Sequence, residues 1–381
     1  MKKSHVLTTA LAAAAFLAGC GGNEAGDQSP RVAFTQMITF GDSLSDVGSY
    51  DVGAVAASGG GHFSINGQGA TGLAYINWTE FLSAQLQLPQ PCAAETGLNT
   101  IQAVVGAPPV PATFHDTGSS PCLNYAQGGA RVTNPVGPGN AALFTAGVPS
   151  TYSNALGALT VPVHQQIQNY LTDVGPSFPA SALVTVFAGA NDVFMATATV
   201  QGEMAAGVSQ TQAVTDGVTA MVTAADQLAA DINTNILAKG ATHVVVINLP
   251  DISLTPSAIA SGAAGQALSK QLAQAFNTEL AAKLTPSESL LMVDTFSALE
   301  DEVAHPAQYG LANVTTPACT ASSSLLCTKA TLIADVTPAD ASAPATAANG
   351  YLFADSVHPT PYGYRLIAQL VSEQLAIKGW L

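Results

Sequence analysis

The sequence predicts an α/β fold in which a five-stranded, mainly parallel sheet is covered by helices on both faces. Three observations predict it. Short apolar, β-prone runs recur at 33–40, 124–126, 183–188, 243–249 and 290–293, with stretches of helical periodicity between them. Segments rich in Gly, Asn, Asp and Ser follow directly on the strand ends, where open α/β sheets carry their chemistry. The 381 residues are 48% hydrophobic and only 9% charged, which is ample material for a buried core and unlike a disordered acidic chain. The arrangement reads as flavodoxin-like, with loop insertions at 49–72, 89–122, 132–160 and 307–350.

The N-terminus stands apart from that fold. Lys2 and Lys3 precede an apolar stretch from Val6 to Ala18, which is too short to span a bilayer and closes on Leu17-Ala18-Gly19-Cys20. It reads as a secretory signal. The closing tetrapeptide is similar to a bacterial lipobox, which implies cleavage before Cys20, lipid on its sulfur and a flexible tether from Gly21 to Pro30. By analogy with Gram-negative lipoproteins, Gly21 after the cysteine implies sorting to the outer membrane. The expected organisation is a leader over 1–19, a lipidated tether over 20–32 and one domain over 33–381.

Along that domain, the strand from Ala33 to Phe40 meets Gly41 abruptly, and the residues beyond suit a turn and then a helix start. Leu73 to Leu88 places Ile76, Trp78, Phe81, Leu82 and Leu86 at helical spacing, and Pro89 ends it. Val161 to Leu171 is a second helix. Glu203 to Lys239 is a third, in two pieces near Asp216-Gly217, with Lys239-Gly240 as its stop. Gly265 to Leu284 and the closing Tyr362 to Ile377 complete the set.

Once Cys20 carries lipid, Cys92, Cys122, Cys319 and Cys327 remain, and they allow three pairings. Outside the cytoplasm disulfides persist. The local pairs Cys92–Cys122 and Cys319–Cys327 are expected, each closing a loop rich in Pro, Ser or Thr. Neither pair has the C-x-x-C spacing of a zinc site. Removing the leader deletes Lys2 and Lys3 and takes the net charge from −15 to −17, which argues against nucleic acid and anionic lipid surfaces. A neutral substrate is compatible with that charge.

Ser43 follows the strand end at Gly41, with its hydroxyl at the carboxyl edge of the sheet and its N–H near an expected helix N-terminus. A serine there is often only an N-cap. Three further blocks point to a nucleophile instead: Asn124-Tyr125-Ala126-Gln127-Gly128-Gly129-Ala130, Gly189-Ala190-Asn191-Asp192 and Asp355-Ser356-Val357-His358-Pro359. Three residues apart, Asp355 and His358 can share one turn, so that the carboxylate meets Nδ1–H while Nε2 faces Ser43. Glu302-Val303-Ala304-His305-Pro306 offers a competing carboxylate–histidine pair. Asp42 and Asp46 are expected to brace the Ser43 turn.

In this order the four blocks, beginning with Gly41-Asp42-Ser43-Leu44, resemble the GDSL (SGNH) hydrolase family from about Phe34 to the C-terminus. The resemblance implies that family's α/β/α fold and a Ser43–His358–Asp355 triad, with His358 preferred because it immediately precedes the closing helix. It also implies an oxyanion hole made by the Ser43 N–H, a glycine N–H and the Asn191 amide. Alignment favours Gly129 as that glycine, with Gly128 serving the turn. The implied activity is carboxylester hydrolysis, of esterase or lipase type, through an acyl-enzyme and without metal or cofactor. Phospholipase A or acyltransferase activity, a carbohydrate acetylesterase and a non-catalytic surface lipoprotein are the alternatives. The expected partners are a small-molecule or lipid ester and, through the N-terminal lipid, a membrane; the protein is expected to act as a monomer.

Overall fold

The computed structural model describes residues 32–67, 76–98, 110–115, 121–138, 160–333 and 350–381. The leader, the tether to Arg31 and lipidation at Cys20 lie outside these residues, as do parts of all four insertions.

The first strand, β1 (Gln36–Gly41), is followed by the short helix α1 (Gly53–Ala57) and by α2 (Trp78–Gln85). The chain then passes through β2 (Glu95–Leu98), β3 (Val110–Phe114), α3 (Val163–Asp173), β4 (Ala182–Phe187), α4 (Ala190–Ala205) and α5 (Gln210–Asp231). Next come β5 (Val244–Ile247), α6 (Pro256–Ala260), α7 (Gly262–Lys283), β6 (Leu290–Val293) and α8 (Thr295–Ala304). The last elements are β7 (Leu311–Asn313), β8 (Gly350–Tyr351) and α9 (Pro361–Lys378).

The main sheet is parallel throughout, in the order β1-β4-β5-β6. It has four strands, not the expected five. The segment at 124–126 lies beside β1 and pairs with it around one bridge, Asn124 to Thr39, with backbone bonds from Thr39 N–H to Leu123 O, Tyr125 N–H to Thr39 O and Gln127 N–H to Gly41 O. The Asn124 side chain accepts from Ala126 N–H (3.0 Å) and donates to Ser45 O (2.8 Å), tying this short edge to the turn beyond β1. With that segment counted as an edge, the order is 124–126, β1, β4, β5, β6, the flavodoxin-like sequence of strands.

Alternate strand residues feed the two faces. Ile38, Phe40, Val184, Val186, Val244 and Val246 pack under α3, α4, α5 and α7. Met37, Leu183, Phe187, Val245 and Ile247 pack against Trp78 and Leu82 of α2 and Tyr364, Val371 and Leu375 of α9. Three layers result, and the carboxyl edge of the sheet stays open to loops.

Several boundaries depart from the sequence reading. Helix α2 begins at Trp78 because Asn77 caps it, its side chain accepting from Thr79 N–H while Glu80 accepts from Asn77 N–H. Asp216-Gly217 does not break a helix. Gly217 lies inside α5, where a Cβ would come within 2.7 Å of Val200, so the glycine permits close packing of α4 on α5. The break falls at Gly207, whose φ of +90° only glycine adopts readily. The helices α4 and α8 were not foreseen; α4 starts directly after the strand end that carries Asn191, and α8 directly after β6, capped by Asp294.

Both expected cysteine pairs are joined, Cys92 to Cys122 and Cys319 to Cys327. Among the described residues, no helix is long and apolar enough to cross a membrane.

Candidate active site

Beyond β1 the chain forms a turn over Ser43 and not the expected helix. Side chains claim the backbone there. Asp42 Oδ1 accepts from Leu44 N–H (3.0 Å), and Asp46 accepts from the N–H groups of Gly48 (2.9 Å) and Ser49 (2.7 Å). Asn77 donates to Leu44 O and Asn124 to Ser45 O. These bonds offer the backbone an alternative to a helix. Ser43 therefore does not begin a helix of its own, and the turn is braced from two other segments. Asp42 and Asp46 take the supporting places expected of them.

The base of the turn is clamped by a residue the sequence did not single out. Gln166 of α3 accepts from Gly41 N–H (2.9 Å) and donates to Gly41 O (2.8 Å), fixing the last strand residue before Asp42 on both sides.

Across from Ser43, Asp355 and His358 occupy one turn. His358 Nε2 lies 2.8 Å from Ser43 Oγ, and its Nδ1 lies 2.8 Å from Asp355 Oδ2. Asp355 also accepts from Val357 N–H (2.9 Å) and His358 N–H (2.8 Å) on Oδ1, and from Ser324 N–H (2.6 Å) on Oδ2. Burial alone would raise this carboxyl, but the adjacent His358 and the N–H donors reverse that and hold it well below the usual carboxylate range. Ser324 sits in the loop closed by Cys319–Cys327, and Asn66 ties that loop down by donating to Ser324 O (2.9 Å) and Cys327 O (3.1 Å). The Phe63 ring packs on the His358 imidazole with centroids 4.9 Å apart.

The second and third blocks meet beside Ser43. Gly128 donates its N–H to Asp46 Oδ2 (2.9 Å), and a Cβ there would strike Phe63 at 2.2 Å. Gly129 has φ +84°. Among the described residues, no acceptor takes the N–H of Ser43 or of Gly129. Asn191, in the first turn of α4, donates one amide hydrogen to Ala130 O (2.8 Å), which leaves the other available. Next to it, Asp192 binds Arg131 Nε (2.8 Å) and Val132 N–H (3.0 Å), locking the two blocks together.

Ser43 and His358 stand between two cavities. One is an open cleft of about 610 Å³ that includes Gly129, Asn191, Ser322 and Ser323 in its walls. The other is a narrow apolar slot of about 70 Å³ between α8 and α9.

The competing pair of Glu302 and His305 is not assembled. His305 is exposed and bonds Asp301 (2.8 Å), which also receives the Tyr309 hydroxyl. Among the described residues, no group of three His, Cys, Asp or Glu side chains is placed to hold a metal ion.

Asp42 is fully buried beside the nucleophile's position, and burial pushes its carboxyl up to about 7 against the Leu44 N–H that favours ionisation. The folded protein thus keeps a proton that the unfolded chain releases above its ordinary value of 3.8. The stability this proton contributes is complete below that value and is lost as pH rises through about 7. Asp42→Asn mimics the protonated form. Denaturant unfolding near both ends of that window should show a variant whose stability declines less with pH, by on the order of 2–4 kcal/mol. Parallel declines in both proteins would contradict a raised Asp42.

A family model described as GDSL-like lipase/acylhydrolase matches residues 37–371 of the chain. Among solved structures, the extracellular lipase of Streptomyces rimosus is similar at 15% sequence identity and a TM-score of 0.38, over 89% of this chain and 99% of that one. No curated protein matches.

Proposed function

The chain belongs to the GDSL-like lipase/acylhydrolase family, and on that premise we propose that it is a serine carboxylester hydrolase acting on neutral acyl esters. One observation carries the reading: His358 bridges Ser43 Oγ and the Asp355 carboxylate at 2.8 Å on each side. That is the arrangement needed to take a proton from the hydroxyl as it attacks.

In this mechanism Ser43 Oγ adds to the ester carbonyl while its proton moves to His358 Nε2. Asp355 stabilises the imidazolium through Nδ1–H without taking the proton. The carbonyl oxygen, now negative, is met by the N–H groups of Ser43 and Gly129 and by the unused Asn191 amide hydrogen. Gly128 is not a donor in this scheme, because Asp46 already holds its N–H. Collapse expels the alcohol, which takes the proton from His358. Water then attacks the acyl-Ser43 ester as His358 takes its proton, and collapse returns that proton to Ser43 Oγ as the acid leaves.

Hydrolysis of p-nitrophenyl esters from acetate to palmitate tests this reading, with methanol present in a parallel series. The expected result is release of free acid; accumulation of methyl ester in place of acid would make the protein an acyltransferase. Asn191→Ala should lower kcat by about 10²–10³ with little change in KM, as removal of one oxyanion donor does. An unchanged kcat would remove Asn191 from the scheme.

The N-terminus completes the proposal. Residues 1–19 act as an export signal, Cys20 carries the lipid, and the catalytic domain over 33–381 hangs from a short tether at the outer membrane. Cys20→Ser should move the protein from the membrane fraction to the soluble one; retention on the membrane would contradict lipid anchoring. The domain works as a monomer on its ester, with neither nucleic acid nor a cofactor as partner.

A further inference from the structure

The decoy motif has a place in the slot. Thr295, Ala298, Leu299 and Glu302, on one face of α8, line the apolar slot that Ser43 and His358 also line. From Thr295 to Glu302 the helix rises about 10 Å. Apart from His358, Glu302 is the titratable side chain of that lining. Among the described residues its carboxyl has no hydrogen-bond or ion-pair partner. His305, which the motif would have paired with it, turns instead to Asp301.

We propose that this slot is the acyl subsite and that Glu302 is its specificity-determining residue, admitting an extended neutral acyl chain when protonated and opposing it when ionised. The proposal rests on the ester hydrolase reading and names which part of the substrate enters the slot. An acyl carbon bound at Ser43 has two ways to direct its chain. Both are lined mainly by apolar surface, but the open cleft holds the oxyanion donors, whereas the slot is narrower, more enclosed and walled by α8 and α9. In this arrangement an acetyl group stops short of Glu302, and a longer chain runs past it. Laying methylene groups against a carboxylate strips its hydration, and that cost is much smaller for the neutral acid.

Burial, with Asp301 nearby, pushes the Glu302 carboxyl up to about 8. The groups that face it are Asp301 on its own helix, Tyr309 in the following turn and Tyr362 on α9; Arg365 and Glu373 of α9 act on those two tyrosines. None offsets its burial. The neutral form thus persists up to mildly alkaline pH, and ionisation comes within an accessible range.

The test is the ratio of kcat/KM for p-nitrophenyl octanoate to that for p-nitrophenyl acetate, followed as pH rises through about 8. The triad's own titration is common to both substrates and cancels in the ratio. Wild type should show a ratio that falls roughly tenfold across that rise. Glu302→Leu should show a higher ratio with no fall, and Glu302→Gln should also be flat. A wild-type ratio independent of pH, or a fall that persists in both variants, would overturn the assignment. Loss of the ester hydrolase reading is distinguishable, since turnover of acetate and octanoate would then survive Ser43→Ala.

Discussion

Ser43→Ala should lower kcat for ester hydrolysis by about 10⁶ while the fold persists. The size follows from what is removed. Among the described residues, this is the hydroxyl that has His358 Nε2 2.8 Å away to receive its proton. The residual rate comes from the Gly129 and Asn191 donors acting on water attack, and such donors alone retain some catalysis. The fold should persist because Ser43 Oγ does not hold the turn. Asp42, Asp46, Asn77 and Asn124 do so through separate bonds. An unchanged melting temperature with activity near background is the expected pair of readings. Full activity in the variant would place the nucleophile elsewhere.

Asp355→Asn should cost about 10⁴ in kcat and, unlike the serine change, should also destabilise the protein. The carboxylate accepts four N–H groups: those of Val357 and His358 on Oδ1, and Ser324 N–H with His358 Nδ1 on Oδ2. An amide has only one acceptor oxygen. In either orientation its NH₂ faces donors and leaves buried N–H groups unpaired, and with the NH₂ turned to Nδ1 the histidine is also held in the wrong tautomer. Because Asp355 stays ionised far below neutrality, it does not set the acidic limb of the pH–rate profile. The stability it contributes is present above the ordinary carboxylate value of 3.8 and fades only as pH falls towards its own depressed value. Thermal melting and kcat should therefore fall together in the variant. An active, equally stable Asp355→Asn would contradict the role given to this carboxylate.

The parts of the fold visible in the sequence were those with a strong local signature. The strand at Leu290–Val293 was placed to the residue, and those around 183 and 244 to within two, because each is a compact apolar run bounded by polar residues. The helix α4 escaped because its first turn is the Gly189-Ala190-Asn191-Asp192 block itself, which reads as a turn, and because Ala and Thr dominate its body. The turn over Ser43 was mistaken for a helix start for the converse reason. Its Asp and Ser residues suit both, and the decision lies with Asn77 and Asn124, remote in sequence.

The same division applies to the site. The side chains proposed to perform chemistry have a signature in the sequence, and Ser43, Asp355, His358 and Asn191 were candidates before their geometry was known. The groups that hold them could not. Ser324 acts through a backbone N–H, which has no residue-type signature. Gln166 is a glutamine on an otherwise ordinary amphipathic helix. Phe63 was visible in a glycine-rich stretch, but nothing local to it foretold contact with an imidazole nearly three hundred residues on. Glu302 was noticed for the wrong partner, since i,i+3 spacing to His305 on the sequence competes with i,i+4 spacing from Asp301 on the folded helix.

The most direct test of the central claim is to trap the covalent intermediate. Turnover of p-nitrophenyl octanoate would be quenched in acid, and intact mass followed by peptide mapping would locate any acyl group. The account predicts one octanoyl group, on the peptide carrying Ser43, absent from Ser43→Ala and accumulating where deacylation is slower than acylation. An octanoyl group on Ser322 or Ser323 of the cleft wall, or hydrolysis in which no acylated protein forms under any quench condition, would contradict it.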